Sequence, residues 1–193
     1  MAWNRTELDS FRGHTLPDLI GPNPRLLLVG FNPGLRSVAV QAPFASPSNR
    51  FWPALHRSGI LERPIVASGG LRPEDRAYVI SRGIGVTSLV REATARASEL
   101  TAAQLRDGAA TLTARVPVLR PAVVAILGVT AFRIAFQRPH AVVGPQAESI
   151  GGVPVWIVPS PSGLNAHTGV EPLAAAFREV AVAAGIPVSS PER

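Results

Sequence analysis

Two short segments combine a chain turn with side chains that could take part in chemistry. The first is GFNPG at residues 30–34, in which Asn32 follows an apolar run at 25–31. The second is VPSPSGLNAHTG at residues 158–169, a loop of small residues that carries Leu164. An asparagine amide takes no proton at neutral pH, so chemistry at Asn32 would depend on hydrogen bonds and electrostatics rather than on a strong base. Each segment alone is equally typical of a structural turn.

Glycine-rich turns after a strand also bind phosphate groups, which is a second kind of chemistry to consider at residues 30–34. The chain has neither a GxxxxGK[ST] phosphate loop nor a GxGxxG dinucleotide-binding motif. A nucleotide- or phosphate-binding α/β module is therefore an alternative interpretation of the function. It predicts tight binding of free nucleotides and gives no role to Leu164.

Apolar runs bounded by turn residues predict the strands, and the longer stretches between them predict the helices. Strands are expected at 25–31, 85–89, 122–127 and 153–158. Helices are expected at 49–58, 73–81, 102–116, 130–136 and 172–184, with Asn49 as an N-cap and Pro117 as the end of the third helix. Residues 1–24 are expected to form an irregular lead-in and residues 36–48 a loop, because prolines recur in both segments.

Apolar strands that alternate with helices indicate an α/β protein. We expect a three-layer α/β/α fold with a central, mainly parallel sheet of about four to five strands. It is expected to be a single domain over residues 1–193, with flexible ends at 1–15 and 186–193. Sites in such folds lie beyond the carboxyl ends of the strands. This rule predicts that residues 32–37, 88–94 and 160–167 meet at one edge of the sheet.

The absence of cysteine excludes several classes of site. Disulfides, iron–sulfur clusters and cysteine-ligated zinc all need cysteine. The histidines are not at metal-ligand spacing; they are His14, His56, His140 and His167. We therefore expect no metal and no cofactor. The sequence has no run of 18 apolar residues and no apolar signal core near its N-terminus, so we expect a cytoplasmic protein that does not cross a membrane.

The charged residues favour a polyanionic partner without requiring one. All 19 lysine-or-arginine residues are arginine, and the formal net charge is +6. Such a charge is compatible with nucleic-acid binding, although an arginine-only composition is also what a nucleotide bias in the source genome produces. The lack of lysine closes Schiff-base mechanisms to this chain, except through the terminal amine of Met1.

Four motifs taken together are much more specific than any one of them. They are GFNPG at 30–34, APFA at 42–45, NRFW at 49–52 and SPSGL at 160–164, accompanied by GVTSLV at 85–90 and ILG at 126–128. Over residues 16–184 this arrangement resembles the mismatch-specific uracil and thymine DNA glycosylases. The resemblance implies a uracil-DNA glycosylase-like fold and a pocket for a base that has been flipped out of DNA.

The resemblance assigns five residues to the pocket and its chemistry. Asn32 matches the family's asparagine that positions the hydrolytic water, and Phe44 matches the aromatic residue that stacks on the base. The alternative for Phe44 is an ordinary core aromatic. Main-chain groups near Phe31 and Ser37 are expected to read the base, with Ser37 facing its C5 position. Ser160 also belongs to the pocket. It begins the loop at residues 160–167 (the late loop), where the family commonly has asparagine or methionine.

The late loop is expected to fill the space that the flipped base leaves in the duplex. Leu164 resembles an apolar wedge between base pairs, with Gly163 and Asn165 facing the opposite base. His167 stands near the place where the family often has arginine, which leaves the mismatch preference open. It could contact a phosphate or be an ordinary surface histidine.

Glu92 is a further candidate, because it falls on the predicted active edge. A carboxylate near the water would be a better base than an amide. The alternative is a solvated loop acid paired with Arg91.

We therefore expect a monofunctional, monomeric DNA glycosylase that removes uracil or a related damaged or mismatched pyrimidine and leaves an abasic site. Its expected partner is double-stranded DNA, with single-stranded DNA also open. The missing cysteines reject the iron–sulfur branch of uracil glycosylases, and residues 32–34 do not match the Asp-Pro-Tyr-His motif of another branch. A damaged-DNA-binding protein that flips bases without cutting is the alternative, and turnover distinguishes the two.

Overall fold

A five-stranded sheet forms the centre of the computed structural model, which describes residues 3–163 and 169–189. The strands are β1 (Leu26–Gly30), β2 (Ile84–Ser88), β3 (Val123–Leu127), β4 (Gly144–Ile150) and β5 (Val153–Val158). Their order is β2-β1-β3-β5-β4, with β4 antiparallel to β5 and the other pairs parallel. All residues of β1 and β3 are buried, as expected for strands covered on both faces.

Helices cover both faces of this sheet. They are α1 (Arg5–Asp9), α2 (Leu35–Ala39), α3 (Phe51–Arg57), α4 (Pro73–Ser81), α5 (Ala102–Leu119), α6 (Val129–Ala135) and α7 (Val170–Ala183), with a short 3-10 helix at Ala97–Glu99. One core contains Phe51 and Phe177 from α3 and α7. The core on the opposite face contains Leu112 and Phe132 from α5 and α6. The predicted three-layer α/β/α fold is therefore confirmed.

The sequence pattern missed β4 because this strand is at the edge of the sheet. Only Ile150 among its residues is buried, so the segment lacks the apolar run that marks the other strands. Polar residues on an edge strand are common, since they discourage pairing with another chain.

Two segments predicted to be irregular contain helices. Within residues 1–24, α1 begins at a capping box formed by Asn4 and Glu7. Within residues 36–48, α2 continues to Ala39 because Leu35 and Val38, three positions apart, bury the same face.

The prediction that Pro117 ends its helix was also wrong. α5 continues to Leu119 and ends at Arg120, whose φ of 51° is left-handed. Proline removes one hydrogen bond of the helix. Val116 is completely buried, however, and its carbonyl accepts a hydrogen bond from Arg120 N–H at 2.8 Å. The packing of Val116 therefore compensates for the lost hydrogen bond, and the helix continues beyond Pro117.

Residues 186–189, expected to belong to a flexible end, are held against the domain. Ile186 is buried, and Ser189 N–H donates to the Gly59 carbonyl at 3.0 Å. Arg82 donates to the Pro187 carbonyl at 2.7 Å. Within the described residues, no helix is both long enough and apolar enough to span a membrane.

Candidate active site

A cavity of about 410 Å³ opens at the carboxyl ends of the parallel strands. Its walls include residues from 30–37, 86–97 and 160–163, so the described parts of the three predicted segments do meet there. Two further segments, 16–18 and 43–49, and Leu127 at the end of β3 complete the walls. The parallel sheet explains the convergence, because the chain leaves β1, β2 and β5 at the same edge.

Asn32 lines this cavity and its amide is held in one orientation. Its Nδ2 donates to the Glu92 carbonyl and to Thr94 Oγ1, both at 2.9 Å. Thr94 Oγ1 in turn donates to the Arg96 carbonyl at 2.8 Å. Both amide hydrogens are thereby engaged, which leaves Oδ1 as the acceptor for a water molecule or substrate.

Phe44 forms an aromatic wall of the cavity. Its ring stacks on Phe51, with centroids 4.0 Å apart and planes 21° apart. The ring also lies against the backbone of β1, because a Cβ on Gly30 would be 3.2 Å from its edge. Phe44 is partly buried, packs against the hydrophobic core and also lines the cavity, so its role as the stacking residue stays a prediction beside the alternative of a core aromatic.

The start of α3 fastens the late loop to the rest of the pocket. Asn49 Oδ1 accepts the Phe51 N–H at 2.9 Å, although Arg50 and not Asn49 is the capping position of the helix. Arg50 N–H donates to the Pro161 carbonyl at 2.9 Å, and its guanidinium donates to the Ser162 carbonyl at 3.0 Å. The NRFW motif therefore has a structural reason, since it holds the loop that follows β5.

Trp52 ties the same helix to the segment before Phe44. Its indole N–H donates to the Pro43 carbonyl at 2.9 Å. Ser37 is buried and its Oγ accepts the Ala45 N–H at 3.3 Å. These contacts fix the Phe44 segment from both sides.

Phe31 and Ser160 lie at the end of the cavity nearest β3 and β5. A Cβ on Gly128 would be 3.0 Å from the Phe31 ring and 3.4 Å from the Ser160 Cβ, so the two residues share one small space. The φ of Gly128 is 119°, which a residue with a side chain rarely adopts.

Gly163 lies directly against Ser48. A Cβ placed on Gly163 would be 2.6 Å from Ser48 Oγ and 2.7 Å from the Ser48 carbonyl oxygen, so this position has no room for a side chain. The other expected residues of this loop, Leu164, Asn165 and His167, lie outside the described residues.

The structure does not give Glu92 the catalytic position considered for its carboxylate. Glu92 is exposed and is not among the residues that line the cavity. Its main-chain carbonyl is the group that matters here, because it accepts from Asn32. The exposed Glu92 agrees with the alternative of a solvated loop acid, although Arg91 forms an ion pair with Asp18 at 3.3 Å rather than with Glu92.

Sequence reasoning missed a polar cluster at the β2 side of the cavity. Asp18 accepts from Thr87 Oγ1 at 2.7 Å and from Arg115 at 2.5 Å. Asp18, Thr87 and Arg91 line the cavity. Nothing in the sequence links these positions, because residues 18 and 115 are brought together only by the packing of α5 against the sheet.

The cavity offers aromatic surface together with hydroxyl, amide and main-chain polar groups. Such a lining suits a flat ring that carries hydrogen-bonding atoms on its edge. Within residues 3–163 and 169–189, no group of three or more histidine, aspartate or glutamate side chains is placed to hold a metal ion.

The fold is shared with a solved structure. A candidate uracil DNA glycosylase from Methanosarcina acetivorans, solved by solution NMR, superposes with a TM-score of 0.57 at 17% sequence identity. The match covers 88% of this chain and 98% of the other. At this identity the likeness shows the uracil-DNA glycosylase-like fold.

The sequence itself shows the family. The model of the uracil DNA glycosylase superfamily matches residues 17–181, which span all the described walls of the cavity except Leu16. The chain belongs to the uracil DNA glycosylase superfamily, and this membership supports a DNA glycosylase role in general.

Proposed function

We propose that the chain is a mismatch-specific, monofunctional DNA glycosylase that removes uracil or a related damaged or mismatched pyrimidine. The observation that carries this proposal is the anchored Asn32 amide, which leaves Oδ1 to accept a hydrogen bond and belongs to a residue that lines the same cavity as Phe44. Superfamily membership supports the coarser assignment, while the choice of base rests on the motifs and the lining.

The proposed reaction is hydrolysis of the N-glycosidic bond. The bond between the base and C1′ breaks, and its electron pair leaves with the base. A water molecule held by Asn32 Oδ1 forms the new bond to C1′, and its proton is released to solvent or to the departing base. Because the amide is a weak base, the rate depends on fixed dipoles and on a stable leaving group, which uracil is.

In this proposal the base stacks on Phe44, and Ser37 faces its C5 position. The hydrogen bond from Ala45 N–H to Ser37 Oγ supports this arrangement, because it holds the small side chain close to the Phe44 segment. A larger residue at position 37 would exclude substituents at C5. Phe31 and Ser160 border the same cavity and are proposed to complete the pocket.

The late loop is proposed to enter the duplex through Leu164, with Gly163 and Asn165 next to the opposite base. Support comes from the start of this loop, where Arg50 holds the carbonyls of Pro161 and Ser162. A loop fixed at its base can present an apolar tip at a constant distance from the pocket.

A panel of oligonucleotides, each with one altered base, tests the proposed function. Duplex and single-stranded forms are incubated with the protein and then treated with alkali, which cuts the strand at abasic sites. Alkali-dependent cleavage at uracil or a modified pyrimidine is expected. Binding without cleavage would instead indicate a damage-binding protein.

Asn32→Ala identifies the chemical centre. We expect its single-turnover excision rate to fall at least about 100-fold, which corresponds to roughly 2.7 kcal/mol of transition-state stabilisation. Affinity for DNA with an abasic-site analogue should change little, because the product lacks the base and the reacting bond. A near-normal excision rate would remove Asn32 from the mechanism.

A further inference from the structure

The loop at residues 89–97 joins the turn after β1 to one wall of the cavity. Leu89 N–H donates to the Gly30 carbonyl at 2.9 Å, and Val90 N–H donates to the Phe31 carbonyl at 2.8 Å. Leu89, Val90 and Ala93 are buried. The loop is therefore held from its inner side, while Arg91 and Arg96 are exposed and also line the cavity, where it opens to solvent.

Arg91 is the weakly held member of the Asp18 cluster. Arg115 reaches Asp18 Oδ2 at 2.5 Å and Thr87 reaches Oδ1 at 2.7 Å, whereas Arg91 is 3.3 Å away. The Arg91 side chain is 45% exposed, compared with 33% for Arg115. One carboxylate faces two guanidinium groups, so the cluster keeps a net positive charge that Arg91 can present to an anion.

Arg96 adds a second positive charge to the same opening. No ion pair within the described part of the chain involves its guanidinium. The carboxylate nearest in sequence on its C-terminal side, Glu99, accepts the main-chain N–H of Arg96 at 3.0 Å and forms its ion pair with Arg12. Glu92, the acid between the two arginines, is exposed and does not line the cavity.

We propose that Arg91 and Arg96 bind backbone phosphates of DNA on either side of the nucleotide whose base enters the cavity, an inference that rests on the proposed function. Guanidinium groups pair with phosphate through two parallel hydrogen bonds, which gives the contact direction as well as charge. The same loop supplies the Glu92 carbonyl and the Thr94 hydroxyl that orient Asn32. Phosphates held by this loop would place the sugar at a fixed position relative to Asn32.

The salt dependence of binding measures these contacts. Affinity for a duplex with a stable abasic-site analogue is measured over a range of salt concentrations for Arg91→Ala, Arg96→Ala and the wild-type protein. Each lost phosphate contact should make the log–log slope shallower by about 0.9. Arg106→Ala is the matched control, since Arg106 is exposed on α5, away from the cavity, and should leave the slope unchanged. Arg91→Lys keeps the charge and should keep the wild-type slope.

Slopes for Arg91→Ala and Arg96→Ala that equal the Arg106→Ala slope would overturn the inference. Wild-type protein that binds deoxyuridine monophosphate as tightly as the duplex would also overturn it, because the cations would then serve a free nucleotide. Protein that shows the expected slopes but excises no base from the oligonucleotide panel would support the phosphate contacts and contradict the proposed function. Wild-type protein that binds no DNA would contradict both.

Discussion

At the scale of single residues, the site depends on how one amide is oriented. Asn32 donates to Thr94 Oγ1 and to the Glu92 carbonyl, and the Thr94 hydroxyl donates a hydrogen bond to the Arg96 carbonyl. An asparagine that is free to rotate could present either its oxygen or its nitrogen to a water molecule. The two fixed acceptors remove that choice and define Thr94 as a positioning residue.

Thr94→Val should reduce the single-turnover excision rate about 5- to 10-fold. Valine keeps the shape of the side chain but removes a hydrogen bond of about 1 kcal/mol that orients the amide. Thr94→Ser restores the hydroxyl and should return the rate to near the wild-type value. Affinity for abasic-site DNA should be the same in all three proteins. A serine variant as slow as the valine variant would show that packing, and not the hydroxyl, is what position 94 contributes.

At the scale of secondary-structure elements, the pocket is assembled around the start of α3. Phe51 supports the Phe44 ring, Trp52 holds the Pro43 carbonyl, and Arg50 holds the late loop. The late loop also packs closely against the segment before α3, where Gly163 meets Ser48. One short helix therefore sets the distance between the aromatic wall and the loop that is proposed to enter DNA.

Gly163→Ala should displace the late loop, because its Cβ would lie 2.7 Å from the Ser48 carbonyl oxygen, which is backbone and cannot rotate away. Overpacking of this kind costs about 1–3 kcal/mol of folding free energy, which a shift of the loop would relieve. Because a displaced loop would no longer position the substrate correctly, we expect excision from duplex DNA to fall about 10-fold or more. Gly169→Ala is the control, since among the described residues a Cβ there would meet Pro172 alone, at 3.8 Å, and its φ of −72° suits any residue. Equal effects of both variants would contradict a steric role for Gly163.

At the scale of the whole molecule, ion pairs outside the pocket contribute to stability and its pH dependence. Asp75 on α4 is 4% exposed and pairs with Arg63 at 2.6 Å and Arg72 at 3.0 Å. The hydrogen bond from Arg72 is the main reason that the pKa of Asp75 lies below its ordinary value, and Arg63 lowers it further against the opposing effect of burial. The carboxylate therefore stabilises the folded state only while it is ionised.

Asp75→Asn should lower the free energy of unfolding at pH 7 by about 1.5–3 kcal/mol, the range for hydrogen bonds to charged groups. A lowered folded-state pKa means that the wild-type advantage is complete above the unfolded carboxyl pKa of about 3.9 and disappears as the pH falls through the folded value. Urea unfolding of both proteins at several pH values measures how far their stabilities converge.

Glu74→Gln is the control, because Glu74 is 60% exposed and pairs with Arg72 at 3.3 Å, so its effect should be about 1 kcal/mol or less. A difference between Asp75→Asn and wild type that stays constant down to pH 3 would contradict the assignment.

The amino-acid content of the whole chain also limits the products of the reaction. With no lysine in the sequence, the amine that forms a Schiff base with an abasic sugar is missing from every side chain. The strand should stay intact until alkali is added, and borohydride added during the reaction should trap no protein–DNA adduct. An adduct that disappears when the N-terminal amine is blocked would bring Met1 into the mechanism.

The sequence by itself determined the elements whose signal is local. The bounds of β5 and α4 agree with the prediction, and β1 and β3 agree within one residue at either end, because continuous apolar runs and an initial proline need no partner to be recognised. The parallel sheet then required the segments after β1, β2 and β5 to meet, which predicted the place of the pocket.

Only the tertiary structure decided how the pocket residues are held. Asn32 is oriented by a main-chain carbonyl 60 residues away, and a carbonyl has no side-chain identity for a sequence pattern to detect. Asp18 meets Arg115 across 97 residues, and β4 is recognisable only through its pairing with β5. Glu92 shows the same limit of sequence patterns. Its carboxylate suggested a catalytic base, whereas in the structure its main-chain carbonyl accepts the hydrogen bond from Asn32. The type of a side chain, and hence its possible chemistry, can be read from the sequence. The orientation of an active-site group cannot, because it depends on backbone atoms that packing brings near it.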